Sequence, residues 1–72
     1  MSSNDIRNLQ TALKTDSSIY PEGLVTGYFG ALTLKAVQKF QEKYGIASQG
    51  DSGYGYVGPK TRAKLNELYG GK

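Results

Sequence analysis

The sequence predicts an all-α fold: a small three-helix bundle with two long loops rich in glycine and tyrosine. Three observations carry that reading. Apolar residues recur at helical spacing in three separate segments. The segments are bounded by residues that start or stop helices. Between them, the one strand-like piece, Leu24-Val25, is too short to make a strand.

The first helix is expected from about Asp5 to Lys14. Ser2, Ser3, Asn4 and Asp5 are N-cap candidates, and Asp5 places negative charge in the first turn, where the helix dipole favours it. Ile6, Leu9, Gln10 and Leu13 share one face, and Asp16-Ser17-Ser18 ends the helix. A loop, IYPEGLVTGYF, follows from Ile19 to Phe29, with Pro21-Glu22-Gly23 as its turn signal.

The second helix is expected from about Ala31 to Tyr44. Leu32, Thr33, Ala36, Val37, Phe40 and Gln41 form its inner face, and Lys35, Lys39, Glu42 and Lys43 its outer one. Gly45 followed by Ile46 predicts a Schellman-type C-terminal cap. The second loop, ASQGDSGYGYV, runs from Ala47 to Val57. Gly58-Pro59 then opens the third helix, with proline at the first helical position. Thr61, Leu65 and Leu68 point inward with Ala63 nearby, and Gly70 stops the helix.

The two later helices start alike. Phe29-Gly30-Ala31-Leu32-Thr33 aligns with Val57-Gly58-Pro59-Lys60-Thr61, Val37 with Leu65, and Phe40 with Leu68. This weak internal repeat implies two loop–helix units packed side by side against the first helix. In the first unit Phe29 takes the staple position and closes the core, while Tyr28 faces away from it. Gln10 and Gln41 lie on inner faces, so their amides are expected to bond loop backbone.

Composition narrows the function. Seventy-two residues make one domain, with a core over about residues 4–69 and a flexible tail at 70–72. Such a chain buries only about 60% of its unfolded surface, so its margin of stability is thin. It has no cysteine and no histidine. Disulfides are impossible, the usual zinc ligands are missing, and so are the commonest general base and the thiol nucleophile. No apolar run approaches the ~18 residues of a membrane span. No export signal is visible in MSSND.

Glu22 and Asp51 are the loop acids whose approach would make a pair for glycoside cleavage, but each also reads as a solvated turn residue. No phosphate loop or dinucleotide fingerprint is present, so the chain is read as a non-enzyme with no cofactor. Lys35, Lys39 and Lys43 form a basic stripe on a chain of net charge +3. The stripe suits a polyanion, whose binding would fall steeply with salt, or simply a soluble outer face. Tyr20, Tyr28, Tyr54 and Tyr56 either line one shallow groove beside the helix entries, where rings with hydroxyl handles suit sugars and short peptides, or serve the thin core as a lid. Arg62 either clamps a ligand carboxylate or pairs internally with a loop acid such as Asp51.

The ordered run Ile6-x-x-Leu9-Gln10-x-x-Leu13, Thr26-Gly27-Tyr28-Phe29-Gly30-x-x-Thr33-x-x-Ala36-Val37-x-x-Phe40-Gln41, Gly45-Ile46 and Val57-Gly58-Pro59-x-Thr61-Arg62-x-x-Leu65 resembles the bacterial peptidoglycan-binding domain of the three-helix type. The likeness covers about Asn4 to Leu68. It implies a monomeric, non-catalytic module without cofactor that anchors wall hydrolases to peptidoglycan, outside the cell membrane or within the wall. It implies no nucleic-acid or membrane partner and a larger wall protein around the domain. The ligand would be a stem peptide or a glycan strand, held in the groove beside the loop–helix entries. Tyr28, Tyr54 and Tyr56 would form the platform there, with Tyr20 beside them and Arg62 or Asp51 as polar contacts. A spacer or protein-interaction domain that keeps the fold without the ligand is the alternative. The stretch SQGDSGYGY departs from the shorter Asp-Gly turn of many members. A related fold in matrix metalloprotease propeptides silences zinc through a cysteine, which this chain lacks.

Overall fold

A reciprocal cap starts the first helix. Ser2 Oγ accepts the backbone N–H of Asp5 at 3.2 Å, and the Asp5 carboxylate accepts the N–H of Ser2 at 3.4 Å. The structure, a computed structural model that describes residues 1–70, places helix α1 at Ser3–Leu13. It thus begins two residues before the expected Asp5, because Ser2 takes the cap, and Lys14 serves as its C-cap. Helix α2 spans Ala31–Lys43 and helix α3 spans Pro59–Leu65, with proline in its first turn. A π-helical turn, Asn66–Gly70, continues α3. No strand occurs among the described residues. The expected tail lies outside them at Gly71 and Lys72, whereas Gly70 belongs to the π turn.

The C-terminal cap of α2 forms as expected. The Ile46 N–H donates to Gln41 O at 2.8 Å and the Gly45 N–H to Glu42 O at 3.3 Å, the paired bonds of a Schellman motif. Ile46 folds back against the core. That core joins Leu9 and Leu13 of α1 to Ala36, Val37 and Phe40 of α2, with Ile19, Tyr20 and Val57 contributed by the loops. Phe29, Tyr44, Ile46, Leu65 and Tyr69 pack around it. Phe40 and Tyr44 stack tilted, their ring centroids 4.9 Å apart.

Two residues expected inside are not. Leu32 stays exposed because it sits in the first turn of α2, at the edge of the apolar stripe, where the preceding loop leaves it uncovered. Leu68 is exposed because the π turn adds a residue per turn and brings Tyr69 round to the core instead.

Two buried glutamines shape the loops. Gln10 Oε1 accepts the N–H groups of Thr26 (2.8 Å) and Gly27 (3.0 Å). Its Nε2 donates to Tyr28 O and Thr33 Oγ1, each at 3.0 Å, and to Thr26 Oγ1 at 3.3 Å. Two amide hydrogens serve three acceptors there, so one is shared. Gln41 repeats the scheme: Oε1 accepts Gly55 N–H at 2.7 Å, and Nε2 donates to Gly53 O, Tyr56 O and Thr61 Oγ1 at 2.9–3.1 Å. Each loop therefore wraps around one side-chain amide that supplies the partners its backbone would otherwise find in a strand. The repeat is thus larger than the two helix entries. Its units are α1–loop–α2 and α2–loop–α3, and α2 belongs to both.

At the far side, the Asp16 carboxylate accepts the N–H and hydroxyl of Ser18 at 2.9 and 2.6 Å and pairs with the Lys43 ammonium in the last turn of α2. These donors lower its pKa to about 2, and Asp16 in turn raises that of Lys43.

Replacing Gln10 or Gln41 by Leu leaves at least two sheltered backbone groups without partners, at about 1–3 kcal/mol each. We expect a loss of about 2–4 kcal/mol, out of about 4–11 kcal/mol available to a chain of this size. A lower midpoint in urea at unchanged slope would show it. The Asp16 contribution is fully present above about pH 4, the unfolded carboxylate range, and is lost as pH falls from there to about 2. Asp16→Asn should therefore lower Tm at pH 6 and flatten its decline between pH 4 and pH 2, as read from thermal melts across that range.

Candidate functional site

The two loops deliver their tyrosines to the helix entries by the same local geometry. Gly27 and Gly55 adopt φ of +80° and +81°, a conformation that L side chains rarely take. Their N–H groups turn inward to the glutamine Oε1 atoms, and the next carbonyls, of Tyr28 and Tyr56, accept the glutamine Nε2 groups. With the backbone held inward, successive side chains go opposite ways. Phe29 and Val57 pack on the core, while Tyr28 and Tyr56 remain 74% and 66% exposed.

Each exposed ring rests against the glycine that caps the following helix. A Cβ on Gly30 would lie 2.6 Å from Tyr28 Cε2, and one on Gly58 would lie 2.9 Å from Tyr56 Cε2. Both glycines have extended backbone at the N-cap, with no side chain bonded to the helix end. Their role is close approach: they let an aromatic ring lie over the mouth of the helix.

The expected single groove is two recesses. Tyr28 lines one of about 260 Å³ with Leu24, Leu32 and Thr33, and Gln10 at its base. Tyr56 lines another of about 620 Å³ with Asp51, Ser52, Lys60 and Thr61, and Gln41 at its base. The recesses are counterparts under the repeat, with Gln10 matching Gln41, Gly30 matching Gly58 and Thr33 matching Thr61. The larger one lies within the ordinary size range of ligand sites.

The other residues expected at the site separate. Tyr20 is 2% exposed and its hydroxyl donates to Leu24 O at 2.7 Å, so it supports the loop from below with its polar tip engaged. It still lines the Tyr28 recess, together with Leu24 and Gln10. Tyr54 is half-buried, and its hydroxyl donates to the Glu42 carboxylate on α2, which raises its pKa above the usual tyrosine value. It braces the second loop and is not among the residues lining the Tyr56 recess. Arg62 lines a third recess of about 400 Å³, shared by α1, α3 and the π turn, with Asp5, Asn8 and Tyr69. It therefore serves neither the Tyr56 recess nor an ion pair with Asp51 among the described residues. Asp51 does reach the site while also accepting Ser48 N–H at 2.8 Å. Glu22 is exposed in the first loop and does not line the recess of Asp51. The basic stripe is broken, because Lys43 is bound to Asp16 and Lys39 is half-buried.

Leu24, Leu32, Ser52 and Lys60 are site residues that sequence reasoning missed. The aligned helix entries already set Leu32 opposite Lys60, and extending that register backward sets Leu24 opposite Ser52.

Comparison with known proteins adds one finding. The model of the family described as "Putative peptidoglycan binding domain" matches residues 2–65. No match is found among curated proteins or among solved structures.

Proposed function

This chain belongs to the peptidoglycan-binding domain family, and from that premise we propose that it is a non-catalytic module holding cell-wall peptidoglycan at its two loop–helix entries. The observation that carries this reading is the pair of exposed, braced tyrosines. Tyr28 and Tyr56 keep most of their surface in solvent, yet each ring is positioned by an inward-tied backbone and a glycine beneath it. A ring held in place loses little freedom when a ligand stacks on it, so more of the contact energy appears as affinity. Sugar rings and alkyl segments of short peptides both present faces for such stacking.

The recesses are shallow and exposed, so a single domain binds weakly. In this reading it works as a monomeric domain joined to a larger wall protein, where a tethered hydrolase or further copies raise the effective concentration. Its place is the wall, the periplasm or the extracellular space. No helix among the described residues is long and apolar enough to cross a membrane.

Co-sedimentation with insoluble peptidoglycan sacculi at low and high salt tests the proposal. The wild-type domain should pellet at both. Tyr28→Ala and Tyr56→Ala should each reduce pelleting several-fold while changing stability by no more than about 0.5 kcal/mol, as exposed substitutions do. Gly30→Ala should weaken binding with Tyr28 still present, because the added Cβ pushes the ring off the helix entry. Binding that disappears at high salt would reduce the interaction to a basic domain on an anionic wall. A folded double tyrosine variant that pellets like the wild type would refute the site, and no pelleting by the folded wild type would favour the spacer reading.

A further inference from the structure

The two recesses share one architecture and differ in chemistry, and that difference points to a division of labour. The Tyr28 recess has no charged residue in its lining, and Leu24 and Leu32 form its walls. At the matching positions the Tyr56 recess carries Ser52 and Lys60, and Asp51 adds a carboxylate. Asp51 and Lys60 are both exposed and make no ion pair with another described residue. A carboxylate and an ammonium on one recess, unpaired with each other, complement a ligand that carries both charges.

We infer that the Tyr56 recess is a peptide-reading subsite, which takes a short peptide segment bearing an amine and a carboxylate, while the Tyr28 recess takes an uncharged sugar. The inference rests on the peptidoglycan reading and deepens it. In the Tyr56 recess the ligand amine meets Asp51, the ligand carboxylate meets Lys60, and the alkyl part between them lies on the Tyr56 ring. Thr61 is buried beneath them, and its hydroxyl accepts from Gln41. The sizes agree with the assignment: about 620 Å³ for the peptide subsite and about 260 Å³ for the sugar subsite.

The test is an NMR titration of the isotope-labelled domain with two soluble probes, a disaccharide–tetrapeptide released from peptidoglycan and the same disaccharide stripped of peptide, its freed lactyl carboxylate capped as a methyl amide so that it carries no charge. The expected result is at least tenfold tighter binding of the peptide-bearing probe, with amide shifts in residues 51–61. The stripped disaccharide should shift residues 24–33 alone. Lys60→Ala and Tyr56→Ala should each abolish the preference and leave the stripped probe unaffected. Asp51→Asn, which keeps an acceptor for Ser48 N–H, should weaken the peptide probe severalfold but not a version with its amine acetylated. Equal affinity for the two probes, or a preference that survives Lys60→Ala, would overturn the division of labour while sacculus binding still upholds the general function. A wild-type domain that binds neither sacculi nor probes would overturn both.

Discussion

Two buried side-chain amides hold the loops of this protein in shape. A loop of about ten residues cannot place its backbone against a hydrophobic core unless its N–H and C=O groups find partners. Neither loop has a strand to pair with among the described residues. Gln10 and Gln41 stand in for one, each offering an acceptor and donors at the same point. Both amides are almost wholly buried, and every sheltered polar side-chain atom among the described residues is hydrogen-bonded. In a low-dielectric interior such a network either satisfies all its members or destabilises the fold, so it also selects one loop conformation.

That constraint explains why the site takes the form it does. A loop pinned from inside at a glycine and the following tyrosine carbonyl has one free direction for the tyrosine ring, which is outward. The following residue, Phe29 or Val57, then returns to the core. Because the pinning is repeated, the exposed ring is repeated, and two recesses arise from one set of rules. The shared helix α2 makes the repeat economical: its inner face supplies Thr33 to the first amide and Gln41 to the second loop. Divergence could then occur where the network does not reach. Leu32 and Lys60 contribute nothing to the amide cradles, and there the recesses differ in charge.

A core this small leaves the periphery to complete it. Asp16, just past the end of α1, pairs with Lys43 in the last turn of α2. Lys64 lies over the Tyr44 ring, 5.4 Å from its centroid, where that ring packs at the edge of the core. These contacts lie at or near the surface and are individually weak. The lysines that the sequence aligns as a stripe are partly used in this way.

Much of the fold was legible in the sequence. Helix positions, the Pro59 start and the Gly45-Ile46 cap depend on residues within one or two turns of each other, and local spacing reports them directly. The glutamines were legible too, since a polar side chain on an apolar face must find partners. The opposite orientations of Tyr28 and Phe29 followed from their adjacency. What the sequence could not decide was which loop residues share a cavity. Tyr20, Tyr54, Tyr56 and Arg62 look alike as polar-tipped residues near helix ends, yet one is buried, one braces α2, one is exposed and one faces α1. Those outcomes depend on contacts between segments far apart in the chain, and on a π turn whose extra residue shifts the register of everything after it. By itself the sequence determined the helices, their caps and the family, because each rests on local backbone chemistry or ordered spacing. Only the tertiary structure decided that the tyrosines open onto two recesses and which charges line each, because burial and charge proximity exist only once the segments have packed.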